Sequence, residues 1–230
     1  DSSFRHDYLV GQPLPIAQLY SRAHNAKDAR TRHDNSFYLF EALIKLAACP
    51  PIVCYLAELR EGVVRDEKLD GLLQQLALPS LGQWVGFLRE TARHYGKRDT
   101  HPVGNLWSQL NKKHADLPGV LALYRHIRNG PEGTPSNEKS CSILQLFDLL
   151  VQYRNAVFGH GANRIASFYE SEMGPLLFPA VTEVLSAGVL DLLGNKDARL
   201  IHVSQVRKVN RTTVEIDAVD PKRYARPRND

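Results

Sequence analysis

The sequence predicts a mainly α-helical fold, a helical bundle followed by a β-hairpin near the C-terminal end. Three observations lead to this prediction. Apolar residues recur at helical spacing almost continuously between Pro13 and Leu193. Two β-branched runs of alternating polarity, 199–206 and 212–219, then replace the helical pattern. The 230 residues, of which 43% are hydrophobic, are enough to bury the core of one full domain.

Proline and glycine divide the first part of the bundle into separate helices. Pro50 and Pro51 are expected to end the second helix, because proline lacks the backbone donor and restricts the residue before it. Ser80 opens a later helix, and the stretch from Asn129 to Asn137 is a loop dense in turn-forming residues. The helices predicted before this loop are Leu14–Ala26, Asp34–Ala48, Ile52–Leu59, Glu67–Leu76, Leu81–Tyr95, Leu106–Lys113 and Val120–Arg128.

The helix after this loop is strongly amphipathic. Ser142 and Gln145 form a capping box at its start, and Gly159 and Gly161 favour its end. At about 100° per residue, its apolar side chains project into a stripe about 120° wide. Arg154 projects into the same stripe, where a guanidinium needs a charged partner or a polar cleft. The apolar members of the stripe are Ile143, Leu146, Phe147, Leu150, Tyr153 and Val157.

The pattern divides the chain into three parts. Residues 1–195 form the helical domain, whose last helix runs from Ile165 to Leu193 with a bend near Gly174. Residues 196–220 form the hairpin appendage, and residues 221–230 form a basic linker or tail. A lone hairpin is only marginally stable in water, so we expect it to pack on the helices or to join a larger sheet. The missing initial methionine leads us to expect a processed product or a segment of a longer protein.

Charge and composition narrow the classes of function. Residues 196–230 contain nine Lys or Arg and five Asp or Glu, whereas the remaining residues carry twenty of each. The net charge of +4 therefore belongs to the C-terminal part, and a neutral helical body argues against broad nucleic-acid affinity. We find no apolar run near the roughly 20 residues of a membrane span, and no signal peptide. We therefore expect a cytoplasmic protein without membrane contact.

No metal or cofactor site is predicted. The three cysteines are too few for a disulfide framework, and Cys49 and Cys54 have no second pair to complete a zinc site. Walker A and dinucleotide-binding fingerprints are absent from the sequence. The remaining candidate ligands lack the i, i+4 or cysteine-paired spacing of metal sites; they are His94, His101, His114 and His126.

The stretch Tyr153 to Gly161 carries the main functional hypothesis. It places Arg154, Asn155 and His160 around the end of the amphipathic helix. This order resembles the Arg-Asn…His signature of HEPN domains, an all-helical family that commonly dimerises and includes many RNases. The resemblance implies metal-independent attack of an RNA 2′-hydroxyl on the adjacent phosphate at a composite, dimeric site, and a role in bacterial defence or stress response.

The resemblance also implies a role for each residue. His160 would act as general acid or base, because the unperturbed pKa of histidine lies near neutrality. Arg154 would hold the scissile phosphate and stabilise charge in the transition state. Asn155 would orient the histidine or the substrate. The implied partners are RNA and a second copy of the chain, and the HEPN-like domain would be residues 1–195.

Alternative hypotheses stay open. Arg154 could instead pair with a buried carboxylate such as Glu41 or Glu170, with His160 only capping the helix. The polar segments Arg22–Asn25 and Arg30–Asp34 could contribute to the same cleft, but the expected structure is a solvated turn between the first two helices, in which Asp34 caps a helix. If the motif residues have only such structural roles, the chain would be a non-catalytic dimerisation or sensing module, or an all-α interaction scaffold.

A second resemblance concerns the whole segment. Leu19-Tyr20-x-Arg22-Ala23-His24-Asn25, then Tyr153-Arg154-Asn155 and Gly159-His160-Gly161-Ala162, and then a hairpin follow one another along the chain. This order is similar to accessory regions of large bacterial signalling or defence proteins, and such regions can precede kinase or other effector domains. It implies further domains of a larger protein as partners.

Overall fold

The computed structural model confirms a mainly helical fold. It describes residues 4–62, 65–98, 101–129, 137–157, 164–191, 202–208 and 214–219, the last two ranges by their backbone alone. The α-helices in these ranges are α1 (His6–Gly11), α2 (Leu14–His24), α3 (Ala29–Arg60), α4 (Glu67–Leu73), α5 (Leu81–Tyr95), α6 (Asn105–Asn111), α7 (Pro118–Asn129), α8 (Ile143–Val157) and α9 (Gly174–Ser186). A 3-10 turn (Gln74–Ala77) follows α4, and a π-helix (Phe168–Met173) leads directly into α9. The strands are β1 (Lys113–His114), β2 (Cys141–Ser142), β3 (His202–Lys208) and β4 (Val214–Val219).

Helix α3 is central to the fold, since it packs against α2, α5 and α9. An 18-residue window of this helix has a mean hydropathy of 1.6, so α3 could cross a bilayer by length and composition alone. The expectation that no run is long and apolar enough is therefore wrong for α3. Half of the window is nevertheless buried inside the fold. Packing against the neighbouring helices accounts for much of this apolar content.

The predicted break at Pro50 and Pro51 is also wrong, because α3 continues through both residues. Each proline removes one backbone donor, which ordinarily disrupts a helix interior. Residues on both sides of the pair are buried in the core, and Ala47, Ala48 and Ile52 are at most 6% exposed. Core packing therefore holds both halves of the helix in place and outweighs the local preference.

Both helix starts that were predicted from capping residues are confirmed. In α5, Ser80 Oγ accepts from the Gln83 backbone, and the Gln83 side chain accepts from the Ser80 backbone. In α8, the Ser142 N–H donates to Gln145 Oε1 at 3.0 Å, and the Gln145 N–H donates to Ser142 Oγ at 3.2 Å. These reciprocal bonds satisfy backbone donors that have no partner within the helix.

The hairpin is confirmed as an antiparallel pair of β3 and β4, with an irregularity in register between Val203 and Gln205. Three other elements were not predicted: α1, the π-helix and a second antiparallel pair. In that pair, β1 and β2 match Lys113 with Ser142 and His114 with Cys141. Two-residue strands leave no periodic signal in a sequence. Their pairing holds the chain before α7 against the start of α8.

Candidate functional site at the C-terminal end of helix α8

Two of the three motif residues lie in the last turn of α8. Arg154 and Asn155 precede the end of this helix at Val157, and Asn155 is exposed. His160 belongs to residues 158–163, which lie outside the described residues. The structure therefore locates Arg154 and Asn155 on one helix end, whereas the joint site with His160 stays a prediction.

Arg154 lies at the solvent edge of the apolar stripe of α8. Its Nε donates to Glu41 Oε1 on α3 at 3.3 Å, and its side chain is 44% exposed. The apolar stripe residues are buried except Val157, which is half-buried. Glu41 is thus the carboxylate partner that the non-catalytic hypothesis anticipated. The guanidinium is nevertheless accessible to solvent.

Glu41 lies between two cations. Lys45, one turn further along α3, places Nζ 3.7 Å from Glu41 Oε2, on the other oxygen from the one that Arg154 contacts. Two positive charges and one negative charge therefore share this position. We call the three residues Glu41, Lys45 and Arg154 the Arg154 surface. Its net charge suits an anion better than a cation.

Next to Arg154, the Tyr153 side chain points into the fold and meets His33 of α3. The Tyr153 hydroxyl lies 2.6 Å from His33 Nε2, and His33 Nδ1 lies 2.7 Å from Asp34 Oδ1. An ionised carboxylate only accepts, so Nδ1 carries the proton and Nε2 accepts from the Tyr153 hydroxyl. Burial lowers the pKa of His33 and outweighs the opposing effect of Asp34. The histidine is therefore held neutral.

His33 lies in a segment for which a solvated turn was favoured over a contribution to the cleft. The segment Arg30–Asp34 was expected to be a solvated turn capped by Asp34. Instead, Asp28 caps α3 by accepting from the Thr31 backbone, and His33 lies within the helix, 1% exposed. The signal was present, because His33 precedes Phe37, Phe40 and Ile44 at helical spacing.

A cavity of about 440 Å³ is lined in part by Tyr153. It lies between α7, α8, the π-helix and the segment 164–167 before the π-helix. Ligand sites in proteins fall in the range of about 300–1,000 Å³ and are mostly apolar with a few polar groups. Arg154 does not line this cavity. We call it the α7–α8 cavity; its lining residues are His126, Ile127, Gln152, Tyr153, Ala156, Val157, Arg164, Ile165, Ser167, Phe168, Glu172 and Met173.

Two polar contacts lie in the lining of the α7–α8 cavity. His126 Nε2 of α7 lies 3.1 Å from Glu172 Oε1 of the π-helix, which ties the two walls together. Arg164 donates to the Ala156 carbonyl at 3.2 Å and places its guanidinium carbon 5.7 Å from the centre of the Phe168 ring. Within the described parts of the chain, Arg164 makes no ion pair with a carboxylate.

The π-helix determines the shape of this cavity. It carries Phe168, Glu172 and Met173 to the lining, while Tyr169 packs edge-on against His33 with ring centres 5.1 Å apart. A side chain at Gly174 would collide with the Tyr169 carbonyl, so the end of the π-helix requires glycine. Single π turns occur frequently at functional sites.

Among the described residues, no group of three His, Cys, Asp or Glu side chains is arranged to hold a metal ion. No protein-family model matches the chain, and no curated protein or solved structure matches it either. The HEPN resemblance therefore rests on the motif and on the mainly helical architecture.

Proposed function

We propose that the chain is a HEPN-type, metal-independent endoribonuclease. In this mechanism the 2′-oxygen of RNA loses its proton and bonds to the adjacent phosphorus, at a composite site formed by two copies of the chain. The bond from phosphorus to the 5′-oxygen of the next nucleotide breaks, and this oxygen leaves as a hydroxyl after it gains a proton. Arg154 binds the phosphate, His160 acts as the general base for the 2′-hydroxyl or as the general acid for the leaving 5′-oxygen, and Asn155 orients the histidine or the substrate. The observation that supports the proposal is the position of Arg154, which is anchored by Glu41 yet 44% exposed.

The anchoring of Arg154 favours phosphate binding. Among the described residues, its one side-chain hydrogen bond uses Nε, which leaves the two terminal nitrogens available for two phosphate oxygens. Paired donors of a guanidinium match the geometry of a phosphate. Lys45 adds a second positive charge to the Arg154 surface. Glu41 thus holds the guanidinium in place, and its carboxylate offsets part of the positive charge of Arg154.

A second candidate function is a non-catalytic dimerisation or sensing module of a larger protein. The contact between Arg154 and Glu41 favours it, because it joins α8 to α3 and gives the arginine a structural role. In this function the replacement of Arg154 would affect assembly or stability, and the replacement of His160 would leave both unchanged.

Incubation of total RNA or tRNA with the protein in the presence of a chelator tests the catalytic proposal. We expect cleavage by the wild type, and a loss of about a hundredfold or more in Arg154→Ala and His160→Ala. Arg89→Ala is a matched control, because Arg89 pairs with Asp148 on the same helix α8. If the wild type leaves RNA intact, or if Arg89→Ala loses as much activity as Arg154→Ala, the catalytic proposal is wrong.

Mixing the two inactive variants tests the composite site. If each site combines residues of two copies, a mixed dimer of Arg154→Ala and His160→Ala contains one intact arginine and one intact histidine. We expect such mixtures to recover part of the activity after subunit exchange. A mixture that stays inactive, although a tag on one variant captures the other, would argue against a site shared between two copies.

A further inference from the structure

We propose that the α7–α8 cavity is a binding site for a small amphiphilic acid, a molecule with an apolar or aromatic body and a single carboxylate. This site is separate from the Arg154 surface, because Arg154 does not line the cavity. The inference therefore does not depend on RNA cleavage.

The apolar lining of the cavity favours a ligand with an apolar body. Ile127, Val157, Phe168 and Met173 contribute aliphatic, aromatic and thioether surface, and Met173 is almost fully buried. The volume of about 440 Å³ accommodates a ring with a short aliphatic chain. Transfer of such a body from water into this cavity is the main favourable contribution to binding.

Arg164 selects the acidic head group. Its guanidinium lies over the Phe168 ring, between the apolar wall and the Ala156 carbonyl at the end of α8. The contact with Phe168 orients the planar guanidinium, and among the described residues no carboxylate forms an ion pair with it. A carboxylate that enters with its apolar body inside the cavity would reach this cation and form a charge-assisted pair.

Glu172 explains why the proposed ligand carries one negative charge. Its carboxylate lies in the lining and is bound to His126 at 3.1 Å, so it is fixed in position. A second negative charge on the ligand would be repelled by this carboxylate, since like charges in a half-buried site interact unfavourably. The cavity therefore contains one cation for a head group and one anion that disfavours a dianion.

Two features show that the walls are formed before a ligand binds. The Tyr153 side chain is tied to His33 by a buried hydrogen bond, and the His126–Glu172 contact connects α7 with the π-helix. A pre-formed site avoids the entropic cost of ordering its walls on binding.

Isothermal titration calorimetry with 4-phenylbutyrate and its neutral analogue 4-phenylbutanamide tests this proposal on the full chain. We expect the acid to bind about tenfold more tightly than the amide, because the carboxylate gains the Arg164 contact. Arg164→Gln should remove this preference and leave binding of the amide unchanged. Arg60→Gln, at an exposed position at the end of α3, is the matched control and should bind as the wild type does.

Ala156→Phe tests the location of the site. Ala156 is exposed and lines the cavity, so the larger ring should fill the space without disturbing the core, and both compounds should lose binding. Circular dichroism checks that each variant is folded. The proposal is overturned if neither compound binds to the wild type, if acid and amide bind equally well, or if folded Ala156→Phe still binds the acid.

Discussion

His33 connects α3 to the motif helix through a buried side chain. It accepts a hydrogen bond from Tyr153 and donates one to Asp34, while the rings of Phe168 and Tyr169 pack against it. Burial raises the pKa of Tyr153 and lowers that of His33, so both groups stay neutral at pH 7. Arg30 also disfavours a charge on His33.

This arrangement predicts a loss of stability in mild acid. The pKa of His33 in the folded state is below its value of about 6.5 in the unfolded chain, so the unfolded state takes up the proton first. The free energy of unfolding should therefore fall as the pH drops below about 6.5. In His33→Gln this fall should be smaller, because the amide can still bond to Tyr153 but does not titrate.

Urea unfolding at several pH values between 7.5 and 5, about half a unit apart, measures this effect. His6→Gln, a replacement at an exposed histidine of α1, serves as the control. If wild type, His6→Gln and His33→Gln lose the same free energy of unfolding over this range, His33 is not the group responsible.

At the scale of elements, local signals determined where several helices begin. Ser80 and Ser142 each bond with a glutamine three residues further along the chain, so both helix starts could be predicted from the sequence. The continuation of α3 through Pro50 and Pro51 could not, because it depends on core packing from other helices. The partner of Arg154 was predictable only as one of two carboxylates, since the choice depends on how α3 and α8 pack.

A second prediction concerns Gly174, which directly follows the π-helix. Alanine at this position should destabilise the protein by about 1 kcal/mol or more, because its methyl group collides with the Tyr169 carbonyl. Gly86→Ala in α5 is the matched control. It has nothing within 4 Å of the added methyl group and should instead stabilise the helix by about 0.5–1 kcal/mol.

Urea unfolding measures the free energy of unfolding of both variants. We expect it to fall in Gly174→Ala and to rise in Gly86→Ala. A Gly174→Ala variant as stable as the wild type would show that the Tyr169 carbonyl has room to move. The turn would then not depend on glycine.

At the scale of the whole molecule, the excess positive charge and the proposed catalytic residues belong to different parts of the sequence. The helical body is neutral in total, and the excess of positive charge lies in residues 196–230. RNA affinity should therefore depend on salt mainly through the C-terminal part of the chain. The Arg154 surface contributes few phosphate contacts of its own, since it contains only two cations.

This separation predicts the effect of removing charge at the C-terminal end. Glutamine at Lys222, Arg223, Arg226 and Arg228 should lower the slope of log affinity against log salt by up to about 3. Fluorescence anisotropy with a labelled single-stranded RNA measures the slope. An equal decrease in a variant neutralised at four exposed body positions would contradict the prediction; these positions are Lys27, Arg60, Lys97 and Lys112.

The α7–α8 cavity was outside what the sequence could predict. Its residues come from α7, α8, the π-helix and the segment 164–167 before it, and their meeting depends on the crossing of helices far apart in the chain. The π-helix has a further consequence for comparing this chain with others. Each π turn takes up about one residue more than an α turn, so the apolar spacing before Phe168 is out of phase with that after Gly174. A correct alignment of relatives without this turn should therefore place a one-residue gap near positions 168–174.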